Sequence, residues 1–218
     1  FLKLKGAARS VLRGARRPAL AGSESYWEAR YSKGGTSGSG SYGRLATYKA
    51  DYIRALLTER GIESAIEFGC GDGNQLSLID YPRYVGVDVS ITAVERCRQR
   101  FSADSSKTFI CLSDLPKAGS EFDLSLSLDV VYHLVEDDIY LAHLDAVFSS
   151  SRSYALIYSS NLNQRGGSHV RHRRFLDDVE TRFPDWGLVK ADPNPWATES
   201  LTETDRSLAS FFLFEKKP

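Results

Sequence analysis

Glu67, Asp88, Asp114 and Asp129 stand at the ends of short apolar runs, in the stretches EFGCGDG, YVGVD, LSDLP and SLSLDVVYHL. A carboxylate in such a place accepts from hydroxyl and amino groups and attracts cations. Behind the first acid, Gly69, Gly71 and Gly73 remove three side chains from one turn. A turn so stripped allows positive φ and lets a ligand lie against the backbone beside a helix N-terminus. Asp88 follows Glu67 by twenty-one residues, where an acid that grips two ribose hydroxyls is expected. Asp114 is placed to accept from an adenine amino group, so the four acids together describe a nucleoside cleft. A dinucleotide fingerprint needs its third glycine one residue later and has no acid before the first. A ligand carrying its own cations suits the pattern better, and S-adenosylmethionine, with an ammonium and a sulfonium, is such a ligand.

Two further groups bear on an acceptor. His133 lies just after Asp129 and ahead of a helix beginning near Glu136, and its neutral imidazole suits a general base near pH 7. The plainer alternative is a helix cap or a packing residue. Tyr132 beside it reads as a pocket wall. The stretch SHVRHRRF brings together His169, Arg171, His172, Arg173 and Arg174. Extended, it turns His169, Arg171 and Arg173 to one face, and arginine forks suit a carboxylate, phosphate or sulfate. Its other reading is a solvated basic loop. Asn161 is placed to orient the acceptor. No His/Asp cluster has metal-ligand spacing, so no metal is expected. Cys70, Cys97 and Cys111 match neither a zinc site nor a disulfide framework, which points to free thiols in a reducing, cytoplasmic setting.

The elements that must position these residues follow from a chain of 218 residues, enough for one well-buried α/β domain. Its 28 basic residues balance 28 acidic ones, so no global field draws in nucleic acid or an anionic membrane. No apolar stretch is long enough to span a bilayer. Residues 1–22 carry six basic residues and no acid, with Leu4, Ala8, Val11, Leu12 and Ala15 at helical spacing. Peripheral membrane contact through residues 1–20, packing on the domain, a targeting segment and a solvated extension are the readings such a segment allows. GGTSGSGSYG, residues 34–43, is a linker or cap, and we place the boundary between extension and domain at 44/45. The spacing of Leu45, Tyr48, Tyr52, Ala55 and Leu56 predicts a helix stopped by Gly61. Strands are predicted over 64–68, 84–88, 108–111, 122–128, 153–159, 187–191 and 209–215, and helices over 74–80, 91–101, 136–149 and 174–183. Alternation of this kind makes a mostly parallel sheet, and the last two strands, with no helix between them, form an antiparallel pair at one edge.

Over residues 45–215, EFGCGDG, VGVDVS, LSDLP and LSLDVVYHL resemble the class I S-adenosylmethionine-dependent methyltransferases. The resemblance implies a Rossmann-like α/β fold with a seven-stranded sheet of order 3-2-1-4-5-7-6, strand 7 antiparallel, and helices on both faces. It implies that Glu67, Phe68, Gly69, Cys70 and Gly71 meet the methionine part of the cofactor, Asp88 and Val89 the ribose, and Asp114 and Leu115 the adenine, with Asp129 alongside. The forward part, YWEARY and the Gly/Ser run, resembles the segment that caps the cofactor in bacterial members. Methyl transfer is an in-line displacement, so the protein chiefly holds donor and acceptor in line. The expected reaction is methylation of oxygen, or else nitrogen, on a small-molecule or glycan acceptor, an anionic one suiting the arginines, with Tyr132, Asn161, His169, Arg171, His172 and Arg173 at the acceptor. Nucleic acid is not expected, because net charge is zero and no NPPY-like motif follows the fourth strand. The oligomeric state is left open. An NAD-dependent oxidoreductase and a non-catalytic S-adenosylmethionine-binding protein are the rival readings.

Overall fold

The computed structural model describes residues 22–115, 122–166, 169–196 and 207–218. The basic helix foreseen over residues 1–20 lies outside them. Helix α1 is Ser23–Ser32 and α2 is Gly43–Arg60, followed by β1 (Ala65–Phe68), β2 (Tyr84–Asp88), α3 (Ile91–Arg100) and β3 (Lys107–Cys111). The chain continues with β4 (Phe122–Leu128), α4 (Asp137–Ser149), β5 (Ser151–Ser159), a short hairpin of β6 (Gln164–Arg165) and β7 (Arg171–His172), then α5 (Phe175–Arg182), β8 (Trp186–Asp192) and β9 (Ser210–Lys216). Single 3₁₀ turns occupy Leu76–Leu78, Leu112–Asp114 and Val131–His133.

Seven strands form one sheet in the order β3-β2-β1-β4-β5-β9-β8. Strand β9 runs antiparallel to both neighbours, and the remaining pairs are parallel. With the hairpin set aside, this is the order 3-2-1-4-5-7-6 expected from the sequence. Period-two alternation divides the core between the two faces. Leu156 and Tyr158 of β5 and Phe211 and Leu213 of β9 pack with Ile53 and Leu56 of α2 and with Val94 and Cys97 of α3. Ala155 and Ile157, with Phe212 and Phe214, pack with Leu144, Val147 and Phe148 of α4 and with Phe175 and Val179 of α5. Helices therefore cover both faces, and each β-strand end is held from above and below. Gly61 ends α2 in the left-handed region, φ 59°, where it costs no Cβ clash.

Two local expectations need correction. The helix foreseen over 74–80 is only the 3₁₀ turn Leu76–Leu78, because few residues separate Gly73 from Tyr81-Pro82 and a proline cannot continue a helix. The glycine turn thus meets no α-helix N-terminus. Helix α1 was not foreseen at all: SESYWEARYS is polar and buries only Ser23 and Tyr31. Among the described residues no helix is long and apolar enough to cross a membrane.

Candidate active site

Strands β1, β2 and β4 end together at a cavity of about 510 Å³, whose wall includes Glu67, Phe68, Gly69, Cys70 and Gly71. Its size falls in the range of small-molecule sites. Val89, Asp129 and His133 also face it. Buried Glu67, at the end of β1, accepts from the Tyr84 hydroxyl at 2.6 Å. Burial pushes its carboxyl up to about 7, against the pull of Tyr84 and of Lys49. Asp88, at the end of β2, accepts the backbone N–H of Gly71 and of Ser90, each at 2.9 Å. Its burial pushes the carboxyl up to about 6. One carboxylate therefore both faces the cavity and holds the glycine turn, with a lone pair remaining on each oxygen.

The glycines serve contacts within the chain. Gly71 sits at φ 58°, and a Cβ there would lie 2.2 Å from Ser37 Oγ and 2.9 Å from the Tyr31 hydroxyl. A Cβ on Gly69 would lie 2.3 Å from Val130 Cγ2. The groups that come closest to the turn at Gly71 are thus side chains of α1 and of the segment after it. Ser37 donates its N–H to Asp72 at 2.9 Å and accepts the Asp72 N–H at 2.9 Å, while the Tyr42 hydroxyl donates to the same carboxylate at 2.8 Å. Helix α1 is fastened along its length: Ser23 donates to Glu136 at 2.5 Å, Glu28 accepts from the hydroxyls of Ser90 and Thr92, and Arg96 donates to the carbonyls of Tyr31 and Gly35.

Asp129 adopts φ 60°, alone among the described non-glycine residues in the left-handed region. Lys49 of α2 reaches its Oδ2 at 2.5 Å, and the Tyr132 hydroxyl donates to its Oδ1 at 2.7 Å. Lys49 is 0% exposed and is the one lysine or arginine among the described residues lining the cavity. The sequence reading missed it, although its signal was present: Leu45, Lys49 and Ile53 recur every four residues, so a cation stands in the buried stripe of α2. Gln75 was missed as well. It is buried, lines the cavity and donates to the Ala46 carbonyl at 3.0 Å, while its Oε1 has no hydrogen-bond partner among the described residues.

His133 stands in the 3₁₀ turn after β4 with Nδ1 3.1 Å from the carbonyl oxygen of His169. A carbonyl only accepts, so Nδ1 carries the proton and Nε2 keeps a lone pair. Burial lowers the affinity of the ring for a proton, against the His169 carbonyl and Asp129, which raise it. Trp27 meets the ring edge-on at 5.1 Å, and His169 stacks on it at 5.7 Å with Tyr26 beyond at 4.5 Å. Hairpin and α1 together fix the imidazole.

Other residues named from the sequence lie elsewhere. Asp114 is exposed and accepts from the Ser113 hydroxyl, and half-buried Leu115 packs on the α4 side of the core; neither lines the cavity, whereas Leu112 does. Asn161 accepts the Leu176 N–H in the first turn of α5. His172 pairs with the Ser160 hydroxyl at 2.6 Å. Arg171 and Arg173 both pair with Asp137, at 2.9 and 3.2 Å. Arg173 also donates to the carbonyls of Leu134 and Val135 and covers the Tyr140 ring at 4.3 Å. These guanidiniums are engaged away from the cavity, so the structure does not bring them to the place an acceptor clamp requires. Among the described residues no three His, Cys, Asp or Glu are grouped to hold a metal ion.

Residues 65–153, which carry the three strand ends, match the family model of the methyltransferase domain. Over that segment the chain carries a methyltransferase domain, and its fold is that of the class I S-adenosylmethionine-dependent methyltransferases. It is an enzyme whose methyl donor is S-adenosylmethionine. In fold, the methyltransferase chain is similar to the methyltransferase domain of bacterial CtHen1-C, at 18% identity and TM-score 0.59, over 78% of this chain and 97% of that one. It is similar to N-methyltransferase NodS from Bradyrhizobium japonicum WM9 in complex with S-adenosyl-l-homocysteine, at 17% identity and TM-score 0.62, over 80% and 88%. A third similar structure is magnesium protoporphyrin IX methyltransferase from Synechocystis PCC 6803 with bound SAH, at 16% identity and TM-score 0.59, over 80% and 85%. No curated protein matches the sequence significantly.

The residues present fit such a donor. Its amino-acid end offers a carboxylate and an ammonium, and the cavity offers the Lys49 cation together with the orphaned Gln75 Oε1. Asp88 retains acceptor capacity for a hydroxyl pair.

Proposed function

We propose that this methyltransferase modifies an oxygen nucleophile on a small-molecule or sugar-containing acceptor, with His133 as general base. One observation carries the reading: the His169 carbonyl fixes the proton on Nδ1 of a buried imidazole that faces the cavity, which leaves Nε2 as a base. S-adenosylmethionine supplies an electrophilic methyl group when bound. Everything else falls to the chain. Asp88 accepts from the ribose hydroxyls, Glu67 balances positive charge, and Lys49 and Gln75 orient the amino-acid end. His133 takes the acceptor proton as the oxygen attacks. Residues 22–44 close over the cleft as a cap, a role supported by the bonds from Ser23, Glu28 and Ser37 to the domain. The paired arginines near Asp137 shape the turn before α4. Free thiols at Cys70, Cys97 and Cys111 support a reducing, cytoplasmic setting.

The deciding experiment supplies the full chain with methyl-labelled donor and a fractionated metabolite extract, then identifies the labelled product. A product bearing a new methyl ether or ester supports the reading. Label on nitrogen or carbon alone would replace the oxygen assignment, and donor binding with no labelled product would favour the non-catalytic alternative.

A further inference from the structure

Arg44, in the first turn of α2, carries a guanidinium that the fold leaves unsatisfied. Its Nε and Nη2 are sealed from solvent and find no hydrogen-bond partner among the described residues. These two nitrogens form one side of the guanidinium plane, the edge whose parallel N–H bonds match two oxygens of a single anion. Both donors of one fork are therefore idle together. Arg44 as a whole is half-buried, but two donors held from water without an acceptor cost stability, so a structural role alone gives no reason to keep them. The Trp196 ring lies against the group, 4.7 Å from centroid to Cζ.

The position relates this fork to the cavity. Tyr48, one turn along α2, stands edge-on to Trp196 at 5.3 Å and to Tyr158 at 6.5 Å. The Tyr158 ring in turn meets Lys49 Nζ at 5.3 Å, and Lys49 holds Asp129 at the cavity wall. A chain of contacting α2 and β5 side chains thus links Asp129 at the cavity to Arg44, which lies beyond the cavity lining. In the sheet, Glu67 and Asp88 end β1 and β2, while Tyr158 belongs to β5, on the opposite side of β4. The donor acids occupy the first side and leave the second for the acceptor.

We propose that Arg44 receives an oxyanion of the acceptor, a carboxylate or a phosphate, and so selects an anionic substrate. This rests on the reading of the cavity as a methyl-transfer site. An anion at that edge changes the charge of a guanidinium lying over the Trp196 ring, which makes tryptophan emission a readout. The full chain is titrated with sodium acetate and with inorganic phosphate against chloride at equal ionic strength, and emission and melting temperature are recorded. A saturable emission change and a higher melting temperature are expected for the native chain with at least one of the two anions. Both responses vanish in Arg44→Met, and Arg44→Lys keeps only part. Trp196→Phe loses the emission change and keeps the thermal one. In anion-free buffer Arg44→Met melts higher than the native chain, by a few degrees, because two sealed and unsatisfied donors are gone. Lack of any saturable response to either anion, an unaltered response in Arg44→Met, or a lower melting temperature for that variant overturns the proposal. Calorimetry with S-adenosylhomocysteine runs in parallel: native binding that is absent defeats the methyltransferase reading itself, whereas binding retained in Arg44→Met with anion response lost confines Arg44 to the acceptor.

Discussion

The Nδ1 of His133 and the carbonyl oxygen of His169 lie 3.1 Å apart across 36 residues of sequence. The contact joins the end of β4 to the short hairpin, so the base is oriented by a segment that also stacks on α1. His133→Ala is expected to lower turnover about a hundredfold while S-adenosylhomocysteine affinity changes less than about twofold. Because burial lowers the imidazole from its ordinary range, the native rate should rise with pH through a value below about 6.5 and be flat above it. Single-turnover transfer across pH 5–8, once the acceptor is known, checks both; an unchanged rate in the variant removes His133 as base.

Cofactor affinity should depend on pH through Glu67 and Asp88. Burial holds these carboxyls near about 7 and about 6, so both gain protons as pH falls through that window. A cationic ligand favours the ionised forms, hence S-adenosylmethionine should bind more weakly at pH 5.5 than at pH 8 and release protons on binding near neutrality. For the ligand-free fold the sign reverses. An acid whose folded pKa is raised above its unfolded value loses stability as pH rises between the two, and both acids follow that rule. Calorimetry in buffers of different ionisation enthalpy measures the released protons, and a pH-independent dissociation constant would refute the coupling.

Lys49 and Asp129 form a buried pair, and removing one partner strands the other. Lys49→Met is expected to destabilise the fold by about 3–5 kcal/mol. Adding Asp129→Asn should return much of that loss, because the uncompensated carboxylate is then gone, while cofactor affinity stays low in both. Urea unfolding of the two single variants and the double variant measures the coupling. Additive effects would mean that the pair contributes no interaction energy.

Gly71→Ala should act on the cap. Its new Cβ meets Ser37 and Tyr31 at distances no side chain tolerates, and φ 58° adds strain of about 1 kcal/mol. Faster proteolysis within residues 33–42 is the expected sign, with Ser37→Gly in the same chain restoring part of the protection. Native-like cleavage kinetics in Gly71→Ala would place the turn clear of the cap.

The sheet was legible because each strand is a bounded apolar run and because the last two runs lack a helix between them. The strand-end acids were equally visible, since carboxylates at such places interrupt an apolar pattern. Lys49 escaped notice because a lysine in a helical stripe counts as a break in it, although its neighbours four residues away are buried. Arg171 and Arg173 misled for a different reason: their partner Asp137 lies 34 and 36 residues earlier, and a basic cluster read alone has no way to declare an ion pair made by folding. Helix α1 was illegible because its fastening is polar. Ser23, Glu28 and the carbonyl of Tyr31 bind residues more than sixty positions away, and hydrophobic periodicity carries none of that information.

At the far edge of the sheet, β8 meets β9 with its register broken between Leu188 and Lys190. Val189 is the extra residue, and it and Leu188 stand 47% and 45% exposed. An unbroken apolar edge would offer a row of free N–H and C=O groups to another chain, the geometry from which fibrils grow. The bulge twists that row out of line, while Lys190 turns over the Tyr52 ring and pairs with Asp192. Two apolar side chains thus reach water on the outermost strand without giving it a flat template, which bears on how concentrated a solution of this protein can become before molecules begin to add edge to edge.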